Sequence, residues 1–331
     1  MDGVTVIICC HNSAGRLPLV LDHLRDQLPV CFPWEIVVVD NASTDNTAEV
    51  ARANWPGSVP LRIIHEDAAG LAHARRRGIA EARYGYLSFV DDDNRVEPGW
   101  VRGVYNVFEA YPAAGALNGF NEVSCDGALP EWFDRFTVAY AVSPPDWSAG
   151  DVTDTRGWLW GAGLSIRRAA WNQITGAGWR WRLTGRQGEA LSSGEDLELA
   201  VALRTAGWRL RYEPALRLKH HLDPHRLTWS YLRRLMRQVG AASVLHDLYT
   251  RPDDRWWLAA AASLKTAAGA SLGGAALLAP AGSWRVLSMD RELGRAAALW
   301  RLRERHAQLA GELAQVRARL ETLRPTVLVS R

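Results

Sequence analysis

Residues 84–94 read Tyr84-Gly-Tyr-Leu-Ser-Phe-Val-Asp-Asp-Asp-Asn94, an apolar run of strand length that ends in three consecutive aspartates. Adjacent carboxylates repel one another, so three of them at the end of a buried strand usually need a bound cation. Hard oxygen ligands of this kind suit Mg²⁺ or Mn²⁺, which proteins typically share with substrate phosphates. The competing interpretation is a solvated acidic turn, and the surrounding sequence decides between the two.

The chain around this run alternates apolar strands with helices. Strands are predicted at 5–10, 35–39, 61–64 and 86–90, with helices at 16–27, 47–54 and 71–82 between them. The alternation predicts an α/β fold with a mainly parallel sheet flanked by helices, in which ligands bind beyond the carboxyl ends of the strands. The polar residues that follow the strands fall there, and they are His11, Asn12, Asp40 and Asp91–Asn94. This placement favours a nucleotide-type site over a solvated turn.

Composition narrows the class of protein. The 331 residues are 48% hydrophobic, which suffices for a large core, and the net charge of +3 does not argue for a nucleic-acid partner. The four cysteines lack a metal-binding spacing, and Cys9 and Cys10 lie in a predicted buried strand, so they indicate reduced thiols. The N-terminus has no basic region of the kind that begins a signal peptide. We therefore expect a cytoplasmic protein.

Six short motifs follow one another along the chain, and they are Val6–Asn12, Val38–Asp45, Gly70–Gly78, Phe89–Asp93, Gly161–Arg168 and Gly194–Asp196. Together they resemble the motifs of the family 2 glycosyltransferases, which are inverting nucleotide-diphospho-sugar transferases with a GT-A fold. The resemblance covers roughly residues 4–230. It implies a GT-A domain at 1–225, with a Rossmann-like nucleotide-binding half at 1–97 and an acceptor half at 98–225. Residues 226–331 are predicted to form an α-helical extension.

The resemblance also implies roles for individual residues. The donor nucleotide would be bound by Cys10, His11, Asn12, Asp40, Arg75, Asp91 and Asp92. The D-x-D motif would hold Mn²⁺ or Mg²⁺, and the predicted metal ligands are Asp93, Asp91 and His220. Within the aspartate triplet, the middle residue Asp92 is expected to tolerate substitution best.

Inversion at the sugar carbon requires one in-line displacement, in which a carboxylate takes the proton of the acceptor hydroxyl. The resemblance implies that Asp196 is this base and that Glu195 orients it or binds acceptor hydroxyls. The residues predicted to contact the donor or acceptor sugar are Trp158, Trp160 and Gly161. Two alternatives stay open here, because tryptophans also pack in cores and acidic residues such as Glu198 also complement a helix dipole.

The function implied by the resemblance is that of a metal-dependent hexosyltransferase. It would move one sugar from a nucleotide sugar, in particular a UDP-sugar, to a saccharide or lipid-linked acceptor in polysaccharide or glycoconjugate biosynthesis. One alternative is a processive polysaccharide synthase subunit, whose family motif ends in Arg-Trp, whereas here Arg237 precedes Gln238. The other is a catalytically silent nucleotide-sugar-binding scaffold, against which the two intact carboxylate motifs argue.

The C-terminal third predicts helices. Residues 256–278 are long and nearly uncharged, but Lys265 near the middle argues against a membrane span and favours an interfacial or packed helical hairpin. We therefore expect peripheral contact with the inner face of the membrane. Residues 296–324 show a coiled-coil heptad pattern, which predicts pairing with a second subunit or with the preceding helix. A homodimer is the preferred interpretation.

Overall fold

The computed structural model describes residues 2–183, 185, 194–250, 255–271 and 279–324. Within these residues the strands are β1 (Val4–Cys10), β2 (Trp34–Asn41), β3 (Leu61–Glu66), β4 (Tyr86–Phe89), β5 (Asn94–Val96), β6 (Ala114–Cys125), β7 (Gly150–Asp151), β8 (Ser165–Arg167) and β9 (Arg209–Leu222). The helices are α1 (Leu17–Arg25), α2 (Thr47–Ala53), α3 (Leu71–Glu81), α4 (Trp100–Ala110), α5 (Arg168–Gly176), α6 (Glu195–Thr205), α7 (Trp229–Thr250), α8 (Trp256–Ser271), α9 (Trp284–Leu302) and α10 (His306–Glu321).

The strands of the described residues form one mixed sheet in the order β3-β2-β1-β4-β8-β6-β9-β5, with β7 paired to β9. The four strands and three helices predicted before residue 91 are all present. β1 pairs in parallel with β2 and β4, and β2 pairs in parallel with β3. Side chains on both faces of β1 and β2 are buried, which explains why these segments are continuously apolar rather than alternating.

Helix α4 and strand β6 lie in a stretch for which the sequence predicted no regular elements. The buried face of α4 has helical spacing, with Trp100, Val104, Val107 and Phe108, so the signal was present. Strand β6 is harder to recognise, because it contains glycines and two fully buried asparagines, Asn118 and Asn121. Both side-chain NH₂ groups donate to the carbonyl of Ala162, at 2.8 and 3.2 Å, so the two amide nitrogens have a partner inside the protein.

The aspartate triplet reaches its neighbours through β5. This three-residue strand follows the triplet and pairs antiparallel with β9, so that Asn94 lies opposite His220. The backbone N–H of His221 donates to the carbonyl of Asp93 at 2.8 Å. Residues that are distant in sequence, the D-x-D motif and the end of β9, are thereby placed side by side.

The C-terminal helices pack on one another through small residues and a buried ion pair. A Cβ added to Gly240 of α7 or Gly294 of α9 would overlap the backbone of the partner helix. Asp290 is completely buried and accepts hydrogen bonds from Arg233 at 2.6 Å and Arg237 at 2.7 Å. Arg237, the residue that resembles part of a processive motif, therefore joins α7 to α9.

The predicted continuous heptad helix at 296–324 is wrong, because α9 ends at Leu302 and α10 begins at His306. The apolar seam of α10 is also used within the chain. Leu313 and Leu320 are fully buried in the core that contains α6 and the end of α7. The buried residues of the seam thus pack within the chain, and the homodimer stays a prediction.

Candidate functional site

The loops after β1 and β2 are joined to each other. The His11 Nδ1–H donates to the carbonyl of Asn41 at 2.8 Å. Asn12 adopts a left-handed backbone conformation with φ of 52°, and its side-chain oxygen accepts the N–H of Thr44 at 2.8 Å. His11 and Asn12 therefore shape this edge of the site through contacts inside the protein. The thiol of Cys10 is 1% exposed and packs in the core, so its predicted contact with a nucleotide is limited to the backbone.

Asp40, at the end of β2, keeps an open acceptor. The residue is 8% exposed, and its Oδ1 is buried with no hydrogen-bond partner among the described residues. Its Oδ2 lies 3.7 Å from Nδ1 of His65. A buried carboxylate oxygen without a donor is unfavourable unless a ligand supplies one. The position of Asp40 is thus compatible with the predicted contact to a base or ribose.

The three aspartates of the triplet have three different environments. Asp91 Oδ1 lies 3.7 Å from Nη2 of Arg75. Asp92 accepts the hydroxyl of Ser13 and Nη2 of Arg16, the latter at 2.8 Å. Burial raises the pKa of Asp92, and the adjacent Asp93 raises it further. Asp92 therefore fixes the loop to the protein, which is a reason to revise the expectation that it tolerates substitution best.

Asp93 faces His220 and an arginine that the sequence did not indicate. Its Oδ2 lies 3.5 Å from Nε2 of His220 and 3.1 Å from Nη1 of Arg226. The Nδ1–H of His220 donates to the carbonyl of Tyr140 at 2.9 Å, so in the neutral ring the lone pair of Nε2 faces Asp93. A backbone carbonyl that fixes the tautomer in this way is typical of metal-binding histidines.

The predicted metal ligands Asp91, Asp93 and His220 do not form a ready-made cage. No group of three or more His, Cys, Asp or Glu side chains among the described residues is arranged to hold a metal ion. The donor set of Asp93 with His220 nevertheless fits Mg²⁺ or Mn²⁺, because such ions are commonly bound by one or two protein ligands together with substrate phosphates. Asp91 is turned toward Arg75 instead.

Arg226 lies on a one-turn 3₁₀ helix, Pro224–Leu227, directly after β9. It is 6% exposed, and its Nε is buried with no partner among the described residues. Its carbonyl accepts the hydroxyl of Tyr140 at 3.1 Å, which holds the turn in place. Guanidinium groups are good ligands for phosphate, so an arginine soon after the strand-end histidines was the signal that could have revealed it.

Arg75 connects the aspartate triplet with Glu195, one of the two carboxylates predicted to be catalytic. It is 2% exposed on α3, and its Nη1 lies 3.4 Å from Oε1 of Glu195. Its Nη2 donates to the carbonyl of Gly161 at 3.4 Å and lies 3.7 Å from Asp91. A Cβ on Gly161 would come within 2.8 Å of the guanidinium, so this position needs glycine. One buried cation thus joins the D-x-D and E-D motifs.

Asp196 and Glu195 open α6, and they are held differently. Asp196 Oδ2 accepts the N–H of Gly161 at 2.9 Å, and Oδ1 accepts the N–H of Leu197 at 2.8 Å. Burial raises the pKa of Asp196, while Arg75 and these N–H donors lower it in part. A carboxylate with a raised pKa is a stronger base, so the geometry suits proton abstraction by Asp196, with Glu195 oriented by Arg75.

Glu198, which could simply complement the helix dipole, has several hydrogen-bond partners in the structure. Its carboxylate accepts the N–H groups of Arg182 at 3.0 Å and Leu183 at 3.1 Å and the hydroxyl of Tyr249 at 3.0 Å. Burial raises the pKa of Glu198 to about 7. Trp181 in the same segment donates to the carbonyl of Glu195 at 2.9 Å. Glu198 therefore ties the segment beside Glu195 and Asp196 to α6 and α7.

The tryptophans predicted to contact sugar pack mainly on each other. Trp160 is 7% exposed and stacks on Trp147 with ring centroids 4.9 Å apart. Trp158 meets Trp160 edge to face at 5.5 Å, and the guanidinium of Arg156 lies 3.8 Å from the centre of the Trp147 ring. This cluster favours the core-packing interpretation for Trp160, whereas Trp158 is only partly buried.

A family model described as Glycosyl transferase family 2 matches residues 5–160. The chain contains a family 2 glycosyltransferase domain. The matched segment includes the D-x-D motif and ends before α6. Among curated relatives, the glycosyltransferase GlyA of Streptococcus pneumoniae is 32% identical over 124 residues, which are 37% of this chain and 18% of that protein. A glucosyl-dolichyl phosphate glucuronosyltransferase of Haloferax volcanii is 21% identical over 76% of this chain and 80% of its own length.

The chain spans only 18, 27 and 41% of the length of the first three curated relatives that it matches. The matches to solved structures, in contrast, extend over nearly the whole chain. S. aureus TarS 1–349 matches with a TM-score of 0.52 and 14% identity, covering 100% of this chain and 92% of that one. Its complex with UDP-GlcNAc gives a TM-score of 0.54 at 15% identity, covering 99% and 90%. These matches show the fold, and the predicted GT-A-type α/β fold with C-terminal helices is confirmed.

Proposed function

We propose that the protein is an inverting glycosyltransferase that moves one hexose from a nucleotide sugar, in particular a UDP-sugar, to a saccharide or lipid-linked acceptor. The observation that carries this proposal is Arg75, which lies between Asp91 of the D-x-D motif and Glu195 beside Asp196. Donor-side and acceptor-side carboxylates thereby share one buried cation. The UDP-GlcNAc complex of the structurally similar TarS supports a uridine nucleotide as donor.

In this proposal the donor lies across the carboxyl ends of β1, β2 and β4. Asp40 offers its open acceptor to the base or ribose, and Asp91 binds the ribose. The diphosphate lies against Asp93, His220 and Arg226, and a bound Mn²⁺ or Mg²⁺ on Asp93 and His220 would supply further neutralisation of the leaving group. The unpartnered Nε of Arg226 supports a role for this residue in holding the diphosphate.

Transfer is then a single displacement. The acceptor hydroxyl gives its proton to Asp196 while its oxygen attacks C1 of the sugar from the face opposite the diphosphate. The bond from C1 to the diphosphate oxygen breaks, and its electron pair leaves with the diphosphate, next to Arg226. Glu195, held by Arg75, keeps Asp196 and the acceptor aligned. A reaction with one displacement inverts the configuration at C1.

The two other functions have less support. The arginine that would belong to a processive motif, Arg237, is bonded to Asp290, and Gln238 stands where that motif has tryptophan. A silent scaffold would have no use for a half-buried carboxylate whose pKa is raised, as at Asp196. All four cysteines are free, which fits the cytoplasmic location that we propose.

Ligand binding and product analysis test the proposal. A thermal-shift screen of nucleoside diphosphates with and without Mn²⁺ should show the largest shift for UDP, because a ligand that binds only the folded state stabilises it. UDP-hexoses that bind would then be offered with saccharide acceptors, and NMR of the product would report the anomeric configuration. Retention of configuration, or no shift with any nucleotide, would contradict the proposal.

A further inference from the structure

Helix α8 turns an apolar face away from the rest of the protein. Its small residues Ala260, Ser263 and Ala267 are buried, and Ala260 packs in one cluster with Val244 of α7 and Leu299 of α9. Its large apolar residues point outward instead, with Trp257 57%, Leu258 42% and Leu264 52% exposed. Among the exposed positions of α8, the polar side chains are Lys265 and Thr266. Large apolar side chains clustered at a surface typically mark an interaction site.

The apolar segment predicted at 256–278 extends past this helix, and residues 272–278 lie outside the described part of the chain. None of the described helices has both the length and the apolar character that crossing a bilayer requires. The exposed face of α8 is formed by Trp257, Leu258, Ala261, Leu264 and Ala268, and it lies at the protein surface.

The part of the chain that contains α8 is more basic than the rest. Residues 251–331 contain 13 Arg and Lys against seven Asp and Glu, whereas residues 1–250 contain 26 against 29. Trp300 of α9 is 60% exposed, and its ring lies 5.9 Å from that of Trp256. The exposed Arg301 and Arg303 follow it directly. Basic charge is thus concentrated in the same helices that expose tryptophan.

We propose that α8 is an interfacial helix that docks the protein on a bilayer containing anionic phospholipids. Trp257 and Leu264 would enter the boundary between headgroups and acyl chains, and Lys265 would extend its stem to reach the phosphates. The positive charge of the region favours this occupant over a second copy of the chain, because two copies would repel each other there. Membrane docking follows from the exposed residues of α8 and from the charge of the region. That docking brings the site to a lipid-linked acceptor rests on the proposed function.

Vesicle flotation tests this surface. The full chain is mixed with vesicles of phosphatidylcholine alone or of phosphatidylcholine with phosphatidylglycerol. The wild type should float with the anionic vesicles. Trp257→Ser combined with Leu264→Ser should weaken this binding by about tenfold or more, since two exposed apolar side chains that would enter the bilayer are lost. A matched control replaces Leu19 of α1 and Leu28 just after α1, which are 41% and 39% exposed, by serine and should bind like the wild type.

Three results would overturn the docking proposal. They are equal flotation of the Trp257/Leu264 variant and the wild type, no flotation of the wild type with anionic vesicles, and self-association in sedimentation that the double substitution removes. Binding should also weaken when salt is raised, because headgroup attraction is screened. The thermal shift caused by UDP is measured on the same samples. If UDP still shifts the melting temperature but the protein does not float, the docking proposal is refuted and the proposed function is not.

Discussion

Two clusters of acidic residues look alike in the sequence, but their carboxylates have different hydrogen-bond and ion-pair partners in the structure. The triplet Asp91–Asp93 is held chiefly by side-chain cations, with Arg75, Arg16 and Arg226 each facing one aspartate. At the start of α6, Glu195 faces Arg75 as well, whereas Asp196 is held by the backbone N–H groups of Gly161 and Leu197. The first arrangement suits the exchange of cations and phosphates. The arrangement at Asp196 suits a proton, because burial raises the pKa of this carboxyl and Arg75 offsets only part of the rise.

Each group also contains one anchoring member. Asp92 binds Ser13 and Arg16, and Glu198 binds the segment at 182–183 and Tyr249. Neither anchor is the residue assigned to chemistry. The carboxylates therefore have three kinds of role, namely cation binding, proton acceptance and, for the two anchors, structural support. Substitutions in each kind should impair a different property of the protein.

The largest effect is expected from Asp196→Asn. An amide cannot accept the proton of the acceptor hydroxyl, so turnover should fall by about a thousandfold or more. UDP binding in the presence of Mn²⁺ should stay within error of the wild type, because Asp196 does not face the diphosphate. Turnover is measured as UDP release, and binding by calorimetry. The exposed carboxylate variant Asp22→Asn is the control, and normal turnover of Asp196→Asn would remove it as the base.

Asp93→Asn should act on binding instead. Loss of this charge should abolish the difference between UDP affinities measured with and without Mn²⁺, since Asp93 is the carboxylate nearest His220 and Arg226. Arg226→Met removes the other partner of the Asp93–Arg226 ion pair. We expect about tenfold weaker binding of UDP, from the loss of a charge-assisted hydrogen bond, but tighter binding of Mn²⁺ alone, because Asp93 loses a competing cation. Unchanged affinities in both variants would refute a cation site at this aspartate.

A smaller effect separates Asp92 from Asp91. Asp92→Ala leaves Ser13 and Arg16 without their acceptor and should lower the free energy of unfolding by about 1–3 kcal/mol. Asp91→Ala should change stability less and UDP affinity more. Urea unfolding and calorimetry on both variants give the comparison. If Asp92→Ala unfolds like the wild type, the original expectation that Asp92 is the tolerant member holds after all.

The smallest effect is the pH dependence of stability at Glu198. Its pKa is raised to about 7 by burial, so between its unfolded value of 4.5 and about 7 the folded state holds a proton that the unfolded state has released. Stability from this group is therefore present at acidic pH and is lost as the pH rises through about 7. Glu198→Gln cannot titrate and should lose this slope. Melting temperatures of both proteins from pH 5 to 8 would show it, and parallel curves would count against it.

Much of the donor half could be predicted from the sequence. β1, β2 and β4 are continuous apolar runs with polar residues directly after them, and both signals are local. The second half was harder to predict for a physical reason. Strand β6 carries asparagines whose side-chain NH₂ groups donate to a carbonyl distant in sequence, that of Ala162, so the burial of the strand cannot be read from the local pattern. The heptad pattern in α9 and α10 led to a wrong prediction of one continuous helix. A row of apolar residues also does not reveal which surface packs against it.

The sequence by itself determined the fold class, the family and the order of the two carboxylate motifs, because strand periodicity and strand-end residues depend on near neighbours. Only the tertiary structure decided which arginine neutralises which aspartate, since Arg16, Arg75 and Arg226 reach the triplet from three separate elements. It also decided that Asp92 and Glu198 are anchors and that Trp160 is packed rather than open. Charge neutralisation and burial are set by contacts between residues far apart in the chain, and these exist only after the chain has folded.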